Sequence, residues 1–211
     1  DLFLAQVYIE GGQEKDSLTL LEPLVKTIEE RADLHSLSLA VLTSTMQAYV
    51  RIENLEQAEA IMKKIEATGK DTAEITSLFQ ALAEQLKQKM ERLTRLGDAA
   101  GAEQTRKSFL AFLDRLSKRE AGQTFDSLGW VAASLFGLGA YAEAERLNWE
   151  ILGKFGSDPE FTANAKNRRA LTATRLQLSV ALRMQKKYDE ARPMIGQLFK
   201  ENSKAINVMM E

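Results

Sequence analysis

The chain has no cysteine, one histidine and three prolines among its 211 residues. Without cysteine the chain has no disulfide, thiolate zinc site or cysteine nucleophile. The absence of cysteine does not distinguish an oxidising from a reducing compartment. The single histidine, His35, excludes histidine-rich metal sites and makes any histidine-based catalytic triad depend on one residue. Because His35 stands near the start of a predicted helix, we expect a structural or capping role for it.

An excess of charge of one sign is also missing, since 28 Lys and Arg nearly balance 30 Asp and Glu. A net charge of −2 supplies no broad phosphate footprint, so we expect no nucleic-acid partner. No run approaches the roughly 18 apolar residues of a membrane span, so none is predicted. The first residue is Asp1 rather than Met, which we interpret as a fragment of a longer protein. The sequence does not identify the cellular compartment; the cytoplasm is favoured over export or the periplasm.

Signatures of enzyme sites are scarce in this sequence. Neither G-x-G-x-x-G nor a loop ending in Gly-Lys-Ser/Thr occurs, which argues against nucleotide binding. The many carboxylates have the spacing of solvated helix faces, with Lys or Arg nearby. Acid–base catalysis needs two groups in a pocket that separates their pKa values, and no pattern indicates one. We therefore expect no enzyme activity and no cofactor.

Apolar residues recur every three or four positions along most of the chain, which predicts helix nearly throughout. Three helix starts are indicated by caps: Asp33, Asp71 with Glu74, and the sequence Asp158-Pro159-Glu160. Residues 72–97 predict an unusually long helix, followed by a second long one. We interpret the pair as long repeat helices rather than a projecting coiled-coil arm, because strict heptads are not sustained.

A short pattern recurs, as in "GLGAYAEAERL" at 137–147 and "RMQKKYDEARPM" at 183–194. Small residues in the same register open a predicted second helix at intervals of about 41 to 47 residues: Ser17, Ala58, Ala102, Ala144 and Ala191. Upstream of most of them a first-helix pattern returns: Leu4-Ala5 then Tyr8, Thr45-Met46 then Tyr49, Val131-Ala132 then Leu135, and Leu178-Ser179 then Leu182.

These residues resemble the tetratricopeptide repeat (TPR), whose pattern is W-x2-L-G-x2-Y, then A-x3-F, then P. The leading Trp and final Pro are missing, and the third unit, around Met90 and Ala102, fits poorly. The resemblance implies an all-α, right-handed superhelix (α-solenoid) of about five TPR-like hairpins with longer helices than usual, forming one domain over 1–211. HEAT-type hairpins, with periods of about 40 to 47 residues, are the competing architecture.

The resemblance also implies a function. TPR-like arrays are non-catalytic scaffolds whose first helices line a groove that binds a peptide or helix of a protein partner. The alternatives are an architectural segment of a longer solenoid or a regulatory repeat domain of a larger enzyme. A chaperone-tail clamp is not expected, because the clamp positions carry residues other than Lys and Asn: Leu2, Gln6, Thr43 and Ser44.

One segment is strongly basic. Residues 161–187 hold seven Lys and Arg and no acidic residue. On a helical wheel four of the seven lie opposite the packing residues Leu178 and Leu182: Lys166, Arg169, Arg183 and Lys187. Trp130 and Phe136 are expected on the groove side of the preceding first helix. We hypothesise that an acidic peptide binds this groove; the alternative is an ordinary solvated helix face.

The two ends of the array carry apolar residues where a solenoid normally presents a polar cap. Phe3 and Val7 lie at one end, and at the other "NSKAINVMME" (202–211) predicts the start of an eleventh helix, capped by Asn202 or Ser203. That segment contributes four apolar residues: Ile206, Val208, Met209 and Met210. Exposed terminal repeats of this kind predict self-association.

Overall fold

The computed structural model describes residues 1–31, 35–68, 72–120 and 122–201. Over these residues it contains no strand and eleven helices: α1 (Leu2–Glu10), α2 (Glu14–Glu30), α3 (His35–Arg51), α4 (Leu55–Ala67), α5 (Thr72–Arg95), α6 (Ala99–Lys118), α7 (Phe125–Gly137), α8 (Tyr141–Gly156), α9 (Pro159–Ala163), α10 (Ala165–Met184) and α11 (Tyr188–Glu201). The predicted all-α class is confirmed, and the short α9 adds to the ten main helices that were predicted. None of the described helices is long and apolar enough to cross a membrane.

The helices form two compact units, Asp1–Leu116 and Ser117–Glu211. In the first unit α1 packs on α2 and α3 on α4, while α2 also packs on α3, the first helix of the next hairpin. In the second unit α7 packs on α8 and α10 on α11, and α8 also packs on α10. Hairpins whose second helix packs against the next hairpin are the arrangement of a TPR-like stack. The superhelical sense and the single 1–211 domain stay predictions.

The five predicted hairpins share one turn geometry. In each, the residue five positions before the small residue has a left-handed backbone: Gly12, Glu53, Gly97, Gly139 and Lys186. In each, the next residue's N–H donates to a carbonyl five positions earlier in the first helix, which belongs to Tyr8, Tyr49, Leu93, Leu135 or Leu182. This is the bond that ends a helix in a Schellman motif. The third hairpin therefore has the same turn as the others, although its side chains match the pattern poorly.

The small residues of the second helices lie in the core. Ser17, Ala58 and Ala144 have no exposed surface, Ala191 is also buried, and Ala102 is half-buried. Ala5, Ala132 and Ser179 occupy the corresponding buried positions of first helices. Short side chains at both positions let the two helices of a hairpin approach closely.

Enlarging one of these side chains is expected to be costly. Ala144→Leu inserts three carbons into a packed interior, so the free energy of unfolding should fall by about 1–3 kcal/mol in urea denaturation. Ala142→Leu, at an exposed position of the same helix, is the matched control and should change it by less than about 0.5 kcal/mol. Equal losses in the two variants would contradict the close approach of α7 and α8.

The longest described helix, α5, has 24 residues and lies in the first unit, which also contains α6 as far as Leu116. Phe79, Leu82 and Leu86 of α5 are buried, whereas Leu96, just beyond its end, is 75% exposed. On α6, Arg115 Nε donates to Glu59 Oε2 of α4 at 2.7 Å. These contacts support the interpretation of α5 and α6 as long repeat helices.

Of the predicted caps, the one at Asp158 is confirmed, because its carboxylate accepts hydrogen bonds from the N–H groups of Glu160 and Phe161. Asp33, Asp71 and the segment 202–211 lie outside the described residues, as do the side chains of His35 and Glu74.

Candidate peptide-binding surface on α10

Helix α10 carries most of the basic segment found in the sequence. Its N-cap is Asn164, whose side-chain oxygen accepts a hydrogen bond from Lys166 N–H. One face of α10 is buried through Leu171, Leu178 and Leu182, and the helix packs on α8 and α11. The opposite face is therefore the one that the second unit presents to solvent.

The exposed face of α10 carries an apolar residue between two basic ones, which the charge pattern alone did not reveal. Arg169, Leu176 and Arg183 are spaced seven residues apart, so they fall in one row with steps of about 10 Å along the helix. Leu176 is 50% exposed and both arginines are exposed. Leu176 was not among the predicted site residues, because the prediction for this helix rested on charge alone, although the spacing of Leu176 from the two arginines was a usable signal.

The basic residues differ in their partners. No ion pair among the described residues involves the exposed side chains of Lys166, Arg169 or Arg183. Lys187, by contrast, donates to Glu145 at 2.7 Å, and this hydrogen bond raises the pKa of Lys187. The charge of Lys187 is thus already compensated, whereas three of the four predicted cations remain available to a partner.

Lys166 also borders an aromatic cleft at the start of α10. The rings of Phe125, Phe155 and Phe161 lie with their centroids 5.0 to 5.5 Å apart. Together with Lys166 and Asn167 they line a cavity of about 450 Å³. Asn167 Nδ2 donates to Phe161 O at 3.0 Å, which holds the cleft against α10.

The two predicted aromatic residues lie elsewhere on α7. Trp130 is half-buried in the middle of the helix, and Phe136 lies in its last turn. Phe136 packs edge-on against Tyr141, with ring centroids 5.3 Å apart, across the turn between α7 and α8. Lys166 and Arg183 are about 25 Å apart along α10. The predicted basic residues are therefore spread along α10 rather than gathered in a compact pocket.

The first unit offers a contrasting cavity of about 820 Å³ beside the turn between α1 and α2. Four basic side chains line it, and two of them, Arg51 and Lys89, have acidic partners. Arg51 Nη1 donates to Ile9 O and lies 3.6 Å from Glu14, while Lys89 Nζ donates to Glu53 at 2.6 Å. Because these two charges are compensated and Glu10, Glu14 and Glu91 also line the cavity, it is less suited to an acidic ligand than α10 is.

Groups suited to chemistry are scarce in the described part of the chain. No cluster of three or more His, Asp or Glu residues has the proximity needed to hold a metal ion there. Tyr49 donates to Glu22 at 2.6 Å; burial, followed by this bond, raises the pKa of Tyr49 to about 12. A phenol kept protonated in this way serves as a structural donor rather than as a base.

No family model and no curated protein matches the chain. Solved structures do match it, among them a Podosopora anserina protein described as a kinesin light chain with nearly identical TPR-like repeats, and a substituted form of it. The first has 18% identity and a TM-score of 0.37, covering 97% of this chain and 94% of that one. The second has 17% identity and a TM-score of 0.38, covering 98% and 94%. The TPR-like fold of the chain rests on the turns and helix contacts given above.

Proposed function

We propose that the chain is a non-catalytic protein-interaction scaffold and that the exposed face of α10 binds an acidic peptide segment of a partner protein. The observation that carries this proposal is the row Arg169–Leu176–Arg183, which is exposed and whose two arginines have no ion pair among the described residues.

The row specifies the chemistry of its ligand. A guanidinium group binds a carboxylate through two parallel hydrogen bonds, so the two arginines favour acidic side chains about 20 Å apart. Leu176, midway between them, favours an apolar side chain. In an extended peptide three residues cover about 10 Å, which gives the pattern Glu-x-x-Leu-x-x-Glu. A further apolar side chain before the first Glu would reach the aromatic cleft beside Lys166.

Fluorescence anisotropy with labelled peptides tests the proposal. A peptide of that pattern should bind the wild type, and one with Lys in place of Glu should not. Binding should weaken as salt is raised, because exposed charge pairs are screened. Arg169→Glu/Arg183→Glu should weaken binding at least about tenfold, equivalent to about 1.4 kcal/mol.

Lys15→Glu/Lys107→Glu is the matched control, because it makes the same charge change at two exposed residues of the first unit. The affinity of this variant should stay near that of the wild type. If both double variants lose affinity equally, the attraction comes from net charge rather than from α10. If neither does, although both are folded by circular dichroism, α10 is not the binding surface.

A further inference from the structure

Register across the hairpins shows which positions of a second helix are normally covered. Four and eight positions after the small residue, α2 has Leu21 and Val25, which are 0% and 6% exposed. At the same positions α8 has Asn148, which is 1% exposed, and Leu152, which packs against the buried leucines of α10. In each case the first helix of the next hairpin packs on that second helix, α3 on α2 and α10 on α8.

Helix α11 has apolar residues at the same two positions, but they are uncovered by the described residues. Ile195 is 46% exposed and Phe199 is 47% exposed. Tyr188, which is 54% exposed, lies on the same face because it precedes Ile195 by seven residues. Ala191 and Leu198, which border this stripe about 40° to 60° around the helix, are buried. The exposed stripe of α11 is thus equivalent to the surface that α2 and α8 use to hold a first helix.

Helix α1 has exposed apolar residues at positions that are buried in α3 and α10. Leu4 and Val7 are each 45% exposed. In α3, α7 and α10 the position of Leu4 is almost completely buried, since Thr45, Val131 and Leu178 are at most 1% exposed; α5 has the half-buried Lys89 there. The position of Val7 is also buried in α3 and α10, where Ala48 and Ala181 occupy it. Within the described residues, α1 therefore lacks the cover that a preceding second helix gives to α3 and α10.

We infer that α11 of one molecule packs against α1 of a second copy of this chain and so repeats the contact that α2 makes with α3. The first unit gives the register of that contact, because Val25 and Thr45 line the same cleft. Phe199 and Leu4 are their equivalents, so Phe199 should meet Leu4 across the interface. The two faces belong to opposite ends of the chain, and both are apolar.

The geometry also sets the strength and form of the association. A single pair of helices buries less than a standard interface of about 1,600 Å², so the association should be weak and concentration-dependent. The two faces differ, so the contact is head-to-tail, and an assembly that does not close into a ring keeps one free face of each kind. Sedimentation velocity of the full chain from about 10 μM to about 1 mM should therefore show growth beyond a dimer.

Two double variants test the faces separately. Leu4→Glu/Val7→Glu blocks the α1 face, and Ile195→Glu/Phe199→Glu blocks the α11 face; each variant alone should remain monomeric. An equimolar mixture should form a dimer and nothing larger, because each variant retains one intact face. Leu96→Glu, which changes an exposed leucine away from both faces, should leave the association of the wild type intact.

Three results would overturn the inference. One is a monomeric wild type at the highest concentration. Another is a mixture of the two variants that fails to form the dimer, although both are folded. The third is self-association that appears only when the chain is truncated after Glu201, since residues 202–211 would then be the occupant of the α11 face.

Discussion

Replacing Glu53 with alanine is expected to lower the free energy of unfolding of the first unit by about 2–4 kcal/mol, because it removes a buried acceptor of several hydrogen bonds. Glu53 lies in the turn between α3 and α4, and its side chain is 12% exposed. Its Oε1 accepts from Lys89 at 2.6 Å and from Thr105 at 2.9 Å, and its Oε2 accepts from Ser108 at 2.7 Å. One carboxylate thus joins this turn to α5 and α6.

Two comparisons isolate this contribution in urea denaturation. Glu53→Gly should be milder than Glu53→Ala by up to about 1 kcal/mol, because Glu53 has φ 62° and glycine adopts that conformation without strain. Glu56→Ala, at an exposed carboxylate of α4, should change stability by less than about 0.5 kcal/mol. If Glu53→Ala were as mild as Glu56→Ala, the carboxylate would not be holding the helices together.

The same bonds give the first unit a pH dependence. Burial raises the pKa of Glu53, but hydrogen bonds from Lys89, Ser108 and Thr105 outweigh it, so the pKa is lowered overall. Stability from this group is complete above the unfolded-state pKa of about 4.3 and is lost as pH falls through the lower folded-state pKa. The difference in stability between wild type and Glu53→Ala should therefore shrink below about pH 4.

The second large effect is an expected gain in stability. Asn148→Leu should raise the free energy of unfolding of the second unit by about 1–3 kcal/mol. Asn148 is 1% exposed, and neither Nδ2 nor Oδ1 of its side chain has a hydrogen-bond partner among the described residues. At the same position of their helices, α2 and α4 have the buried Leu21 and Met62. A leucine removes two unsatisfied polar atoms and restores the apolar pattern.

The same change at a second asparagine of this unit should instead lower its stability. Asn164 caps α10, so Asn164→Leu should lower the free energy of unfolding by about 1 kcal/mol. Thermal unfolding of both variants beside the wild type makes the comparison. Destabilisation by Asn148→Leu would show that the buried amide has a role which leucine cannot fill.

Much of the fold was predictable because hairpin packing repeats locally. The small residues, from Ser17 to Ala191, gave the register of all five hairpins, and the left-handed turns have the same spacing. Glycine marks three of those turns, but Glu53 and Lys186 fill the other two, so glycine alone would have missed them. The bonds of Glu53 to Thr105 and Ser108 could not be predicted, because they join residues more than 50 positions apart.

The candidate site was predictable only in part, because some of its contacts also join residues that are far apart in the sequence. Helical periodicity correctly placed Lys166, Arg169 and Arg183 on the exposed side of α10. It could not show that Lys187 pairs with Glu145, 42 positions earlier. The aromatic cleft also escaped the sequence analysis, because its three phenylalanines come from α7, α8 and α9 and meet only in the folded unit.

The central claim, that the exposed face of α10 is a binding surface for an acidic peptide, is tested most directly by NMR. Backbone amide shifts of the ¹⁵N-labelled chain would be recorded while the Glu-x-x-Leu-x-x-Glu peptide is added. We expect the largest shifts around Arg169, Leu176 and Arg183, with smaller ones at the start of α10. Shifts centred on Arg51 and Lys89 of the first unit, or no shifts at saturating peptide, would contradict the claim.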